Sequence, residues 1–156
     1  MPTIPPVSQH LSAFHLIGIA IRTSNLNGQS QNDISSLWAA FYTQNILENI
    51  PNKQSPDIYC LYTDYASDEN GPYTTILGCR VHDLSQIPKG MVGKTIPGSD
   101  YRWYTTEGKI PDAILATWME IYRGTRDRKF LADFDLYGEK AKDPNQATVE
   151  TYISIW

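Results

Sequence analysis

The pattern I-x-x-x-W-x-x-x-Y occurs twice in this chain, as Ile34, Trp38 and Tyr42 and again, eighty positions later, as Ile114, Trp118 and Tyr122. Side chains four apart lie above one another on an α-helix, so each copy specifies a helix with a ring-bearing stripe. Packing on a sheet would explain either stripe by itself. It does not explain why the segments around the two stripes recur in the same order.

Before the first copy, AFHLIGIAIRT (residues 13–23) is apolar and β-branched and reads as a strand. Asp33 is predicted to open the helix DISSLWAAFYTQNILENI, with Ile34, Leu37, Trp38, Phe41, Ile46 and Ile50 largely on one face and Pro51 ending it. Two strands follow, DIYCLYTDYA and TTILGCRVHD, joined through Asn70-Gly71, a pair suited to the positive φ of a tight turn. In the second half KGMVGKTIPGSDYRWYTTEG is extended with a kink at Pro97-Gly98, and PDAILATWMEIYRG is a helix begun by Pro111 or Asp112. FLADFDLYGEK and ATVETYISIW are the closing strands. An aromatic pair after each helix, Tyr62 with Tyr65 and Phe134 with Tyr137, extends the match. The expected fold is α+β: two βαββ repeats with pseudo-twofold symmetry, an antiparallel sheet covered by two helices, and a cleft where the halves meet.

At 156 residues the chain has room for a single domain, expected to span residues 1–156. Its ten Tyr, four Trp and four Phe are too many rings to leave on the surface, so a core or a cavity must hold most of them. A formal net charge of −4 and the absence of a long basic run argue against direct nucleic-acid binding. RGTRDRK (residues 123–129) is the one basic cluster and reads as a solvated loop. No apolar stretch approaches a membrane span, and MPTIPPVSQH lacks the layout of a signal peptide, so a cytoplasmic protein without membrane association is expected. Cys60 and Cys79 are read as buried free thiols. His10, His15 and His82 show no metal-ligand spacing, and the common nucleotide-binding and hydrolase motifs are missing. No metal, cofactor or catalytic residue is assigned.

The acids are the chemically informative residues. In FDLY, Asp135 and Tyr137 share one face of a strand; on the last strand Glu150, Tyr152 and Ser154 share a face, leaving Thr151, Ile153 and Ile155 for the other. Paired as a hairpin, these strands would bring acids and tyrosines together. A carboxylate among rings suits an organic cation, which gains Coulomb attraction and cation–π contact of about 0.5–2 kcal/mol per ring. The same alternation also allows Asp133 and Asp135 to face water with Phe134 and Leu136 inside.

From about Phe14 to Trp156, and through PDAILATWMEIY, FDLY and ETYISIW, the chain resembles the effector-binding domain of AraC- and MerR-type transcription activators, the GyrI-like domain. The resemblance implies the duplicated βαββ, SHS2-type fold. It aligns Phe134, Asp135 and Tyr137 with the family's F-E-x-Y segment, and Glu150, Tyr152 and Ile153 with its last-strand E-x-Y-I. In drug-sensing members the glutamate of F-E-x-Y lies at the bottom of an aromatic pocket and meets cationic lipophilic ligands; by resemblance Asp135, one methylene shorter, takes that place. The implied protein is a stand-alone form without its own DNA-binding module, similar to drug-binding proteins of integron cassettes. Its expected ligand is a cationic or lipophilic small molecule, bound by Asp135, Glu120 and Glu150 with Tyr62, Trp103, Trp118, Tyr137, Tyr152 and Trp38 as rings. The resemblance leaves two other readings: a small-molecule hydrolase, and a gyrase-inhibitor-type module with a protein partner.

Overall fold

The computed structural model describes residues 6–156. Eight strands form one antiparallel sheet: β1 (Val7–Leu11), β2 (Phe14–Thr23), β3 (Ile58–Thr63), β4 (Tyr73–Val81), β5 (Val92–Ile96), β6 (Ser99–Gly108), β7 (Arg128–Tyr137) and β8 (Ala147–Ile155). Helices α1 (Gln29–Thr43), α2 (Ile46–Asn49) and α3 (Asp112–Gly124) connect them. The strand order β1-β6-β8-β7-β3-β4-β2-β5 is palindromic, so β2-α1-β3-β4 and β6-α3-β7-β8 are the two βαββ repeats. Their pseudo-twofold axis runs between β3 and β7, where Cys60 pairs with Asp135. Tyr62 and Tyr137, each two residues further along, are then equivalent positions. The aromatic match read from the sequence changes accordingly. Phe134 pairs with Leu61 on the opposite face from Tyr62 and Tyr137, and Tyr65 lies beyond the end of β3.

Three boundaries differ from the expectation for physical reasons. Helix α1 starts at Gln29 behind Gly28 (φ 70°) rather than at Asp33, whose carboxylate instead accepts from Thr23 Oγ1 at 2.8 Å and holds the preceding strand to the helix. A left-handed Asn45 (φ 52°) divides the expected long helix into α1 and α2. The extended segment around Pro97-Gly98 is two strands, β5 on the edge beside β2 and β6 in the other half of the sheet.

The two-residue links Ser12–Ala13 (β1 to β2) and Pro97–Gly98 (β5 to β6) each join strands from opposite ends of the strand order. Such links reach only about 10 Å, so the sheet must curl until its edges meet. The curl explains how a face without helices is buried. It encloses Phe14, Leu16, Tyr59, Leu61, Ile96, Tyr101, Phe134 and Tyr152, while Ile17, Leu37, Phe41, Ile46, Leu77 and Val81 form a second core under α1 and α2. Between β2 and β4, Gly18 faces Gly78; a Cβ on Gly18 would lie 2.2 Å from the Leu77 carbonyl oxygen, so the close approach requires glycine.

Candidate functional site

The repeated helix motif builds two cavities, one on each side of the axis. The first, about 400 Å³, is lined by Ile34 of α1, Trp118 and Tyr122 of α3, and Tyr62 of β3. The second, about 670 Å³, is lined by Ile114 of α3, Trp38 and Tyr42 of α1, and Tyr137 of β7. Each helix therefore gives its isoleucine to one cavity and its tryptophan and tyrosine to the other. The ring geometry repeats as well: Tyr62 meets Trp118 edge-on at 5.4 Å and 82°, and Tyr137 meets Trp38 at 4.9 Å and 76°. Ring edges and faces at right angles are a favourable aromatic arrangement, and they brace the wall of each cavity.

Asp135 lies between the cavities, beneath the Tyr62 and Trp118 wall of the first, and is fully buried, itself lining neither. The Tyr62 hydroxyl donates to its Oδ2 at 2.9 Å, Trp118 Nε1 donates to Oδ1 and Oδ2 at 3.1 and 3.2 Å, and Thr151 Oγ1 donates to Oδ1 at 2.5 Å. Two of these donors are wall residues of the first cavity, so that wall rests directly on the carboxylate. Burial pushes the Asp135 carboxyl up to about 6, against the lowering effect of these hydrogen bonds. Burial first, and then the nearby Asp135 charge, raise the Tyr62 and Tyr137 hydroxyls well above their ordinary value. The position equivalent to Asp135 in the first repeat is Cys60, whose thiol donates to the Tyr62 hydroxyl oxygen at 3.3 Å and is pushed up by burial.

A second buried acid sits two residues away. Asp133 accepts from Arg128 Nη2 at 2.8 Å, the Tyr65 hydroxyl at 2.5 Å, and the Ser154 backbone N–H at 2.9 Å. This cluster depends on a bulge. Arg128 pairs with Ile155 and Asp133 with Ile153, so β7 carries three more residues than β8 over this interval, and Phe130 takes a φ of 56°. The extra residues fold Arg128 back onto Asp133. Arg128, read from the sequence as part of a solvated loop, is buried.

The residues expected from the sequence divide into two groups. Asp135, Tyr62, Trp118, Tyr137 and Trp38 come together on the helix-covered face, around the axis. Trp103, Tyr152 and Glu150 lie on the other face, inside the curl, where Tyr152 stacks on Phe134 at 4.7 Å and on Trp103 at 5.6 Å. The Tyr152 hydroxyl donates to Glu150 there at 3.4 Å. Thr151, not Tyr152, shares the face of Asp135, because side chains alternate along β8. Glu120 is exposed on α3 and borders neither cavity. Sequence reasoning did not include Arg128, Asp133, Tyr65 or Thr151 in the site. Thr151 faces Asp135 through the β7–β8 register, which alternation alone does not set, and Arg128 reaches Asp133 through the bulge, which no turn residue marks.

Two braced, ring-lined cavities over a buried carboxylate, on a duplicated βαββ sheet, define a small-molecule effector-binding domain. The family model described as Cass2, integron-associated effector binding protein, matches residues 9–156, and the chain belongs to that family. It is 29% identical over 151 residues, 94% of each chain, to YobU of Bacillus subtilis (strain 168), which is named as a candidate transcriptional regulator. An integron cassette protein from the mobile metagenome of Vibrio cholerae shares the fold with a TM-score of 0.75 at 24% identity, covering 99% of this chain and 97% of the other. SAV2435, solved bound to tetraphenylphosphonium, shares it with a TM-score of 0.81 at 18% identity, covering 98% and 94%.

Proposed function

We propose that the protein binds amphipathic organic cations, with their rings against the cavity walls and their charge drawn to Asp135. The contrast between the two buried acids carries this reading. Asp133 has a guanidinium partner, whereas Asp135 enters no ion pair among the described residues and is held only by neutral donors. A desolvated carboxylate in that state lacks a countercharge, and a cation with an apolar surface supplies one without bringing water in with it. The rings of Tyr62, Trp118, Tyr137 and Trp38 add cation–π attraction. Tetraphenylphosphonium, the ligand of SAV2435, has this chemistry: a central positive charge under four aryl groups.

Calorimetric titration with tetraphenylphosphonium, beside a neutral triaryl compound of similar size, tests the reading. The cation is expected to bind much more tightly than the neutral compound. At a separation of roughly 6 Å and an effective dielectric near 20, the Asp135 charge contributes about 2–3 kcal/mol, so Asp135→Asn should reduce cation affinity by roughly 30- to 150-fold while leaving the neutral compound unaffected. Equal affinity for both compounds in the native chain would refute the proposal.

A further inference from the structure

The first cavity contains a buried guanidinium whose hydrogen-bonding capacity is only partly used. Arg128 lines that cavity and is 7% exposed. Its Nη2 donates to Asp133, but Nε and Nη1 have no partner among the described residues. A guanidinium holds its N–H donors in a rigid planar fork, so Arg128 presents an unclaimed side of that fork. The rings of Phe130, Trp118 and Tyr122 lie 4.3, 5.8 and 5.9 Å from the guanidinium carbon. They offset part of the charge but offer no directed acceptor. Buried N–H groups left in this state keep most of their desolvation cost.

We infer that the first cavity includes an acceptor subsite at Arg128 that takes a neutral carbonyl oxygen (ester, amide or ketone) from the ligand. Neutrality follows from the surrounding charges. Arg128 and Asp133 already balance one another, and Glu69 also lines the cavity, so a formal anion would add uncompensated negative charge to a desolvated space. The bulge that folds Arg128 back onto Asp133 also sets Phe130 beside the guanidinium, which fixes the fork in place. Nε and Nη1 are sealed from solvent, so an incoming oxygen reaches them only when a covering side chain moves aside; Tyr122, 39% exposed and 5.9 Å from the guanidinium carbon, is the most exposed of the three rings around them. The inference rests on the cation-binding reading and narrows it: the preferred ligand is an aromatic cation that also carries a carbonyl oxygen.

Three phenylxanthylium dyes with one cationic core provide the probes: one with a plain phenyl ring, one with a methyl ester on that ring, and one with the free carboxylate. Fluorescence anisotropy should show the ester dye binding the native chain about tenfold more tightly than the plain dye, the size of effect expected for hydrogen bonding to a charged donor. The carboxylate dye should bind no better than the plain one. Two variants test Arg128. Arg128→Lys keeps a cation beside Asp133 but loses the fork, and Arg128→Met combined with Asp133→Asn removes both charges together. In each the ratio of ester to plain affinity should fall to about one. Equal affinities in the native chain, an ester preference that survives in both variants, or a carboxylate dye that binds best would each overturn the subsite. Plain-dye binding that depends on Asp135 without any gain from the ester would defeat the subsite alone; failure of all three dyes to bind would defeat the cation reading with it.

Discussion

If Asp135 is desolvated without a countercharge, it costs the empty protein stability, and Asp135→Asn should make the ligand-free protein more stable. Its carboxyl is displaced from an ordinary value of 3.8 to about 6, which corresponds to ~3 kcal/mol once the group is fully ionised. The folded state holds the proton more tightly than the unfolded chain does, so stability is lost as pH rises from about 4 to about 6 and the loss is constant above that. Asparagine keeps the shape and removes the charge, but Trp118 Nε1 can only donate. The new amide must therefore turn its oxygen towards Trp118 and its NH₂ towards the Tyr62 oxygen, which offsets part of the gain and leaves about 1–2 kcal/mol. For a chain of this size that is roughly 2–8 °C in Tm. Urea denaturation of both proteins across pH 4 to 8 isolates the effect, because other titrating groups cancel in the difference. The variant should be about 1 kcal/mol less stable than the native protein at pH 4, draw level near pH 5 and reach its advantage of about 1–2 kcal/mol by pH 7. A variant less stable than the native protein at pH 7.5, or a difference that does not change with pH, would refute the claim that Asp135 is buried without compensation.

Four further outcomes follow from the same geometry. Cation affinity should fall about tenfold between pH 7 and pH 5, because protonation of Asp135 removes the attracting charge; titrations with tetraphenylphosphonium at several pH values measure it. Trp118→Phe keeps a ring but deletes an N–H donor to the carboxylate, so the midpoint of that pH profile should move upward, readable by NMR titration of the Asp135 side chain. Trp103→Phe and Glu150→Gln lie on the far face of the sheet and should leave tetraphenylphosphonium affinity within about twofold. Gly78→Ala would place a Cβ 2.0 Å from the Ile17 carbonyl oxygen, and should cost about 1–3 kcal/mol or more in denaturant melts.

The features carried by local periodicity were the ones legible in the sequence. The repeated Ile, Trp and Tyr at helical spacing pointed to the duplication, and the structure shows what the repetition builds, since Ile34 joins Trp118 and Tyr122 around one cavity and Ile114 joins Trp38 and Tyr42 around the other. Features that depend on pairing register were not legible. Period-two alternation separates Tyr152 from Thr151 but does not say which of them faces Asp135; the β7–β8 register decides, and it sends Trp103, Tyr152 and Glu150 to the face enclosed by the curl. Strand β1 was missed because only Val7 and Leu11 in VSQHL are apolar, and its residues are mostly exposed at the sheet edge. Arg128 was hidden by a bulge with no glycine to announce it.

The position of Asp135 on the pseudo-twofold axis explains why one repeat carries an acid and the other a thiol. Paired residues on neighbouring strands stand about 5 Å apart, and two buried carboxylates at that distance cannot both ionise. Duplication places equivalent positions against each other there, so a charge kept in both repeats would oppose itself. Cys60 in the first repeat removes the conflict. It fills the space with a small apolar group, and Asp135 remains as the single acid between the cavities. The asymmetry then spreads into the walls: Tyr62 and Trp118 donate to the acid from the first cavity, while their counterparts Tyr137 and Trp38 make no hydrogen bond to it. The first cavity is therefore coupled to the charge by direct hydrogen bonds and contains Arg128, whereas the larger second cavity is coupled to it only through space. Two cavities of one origin thus differ in charge coupling because their shared axis can carry only one buried negative charge.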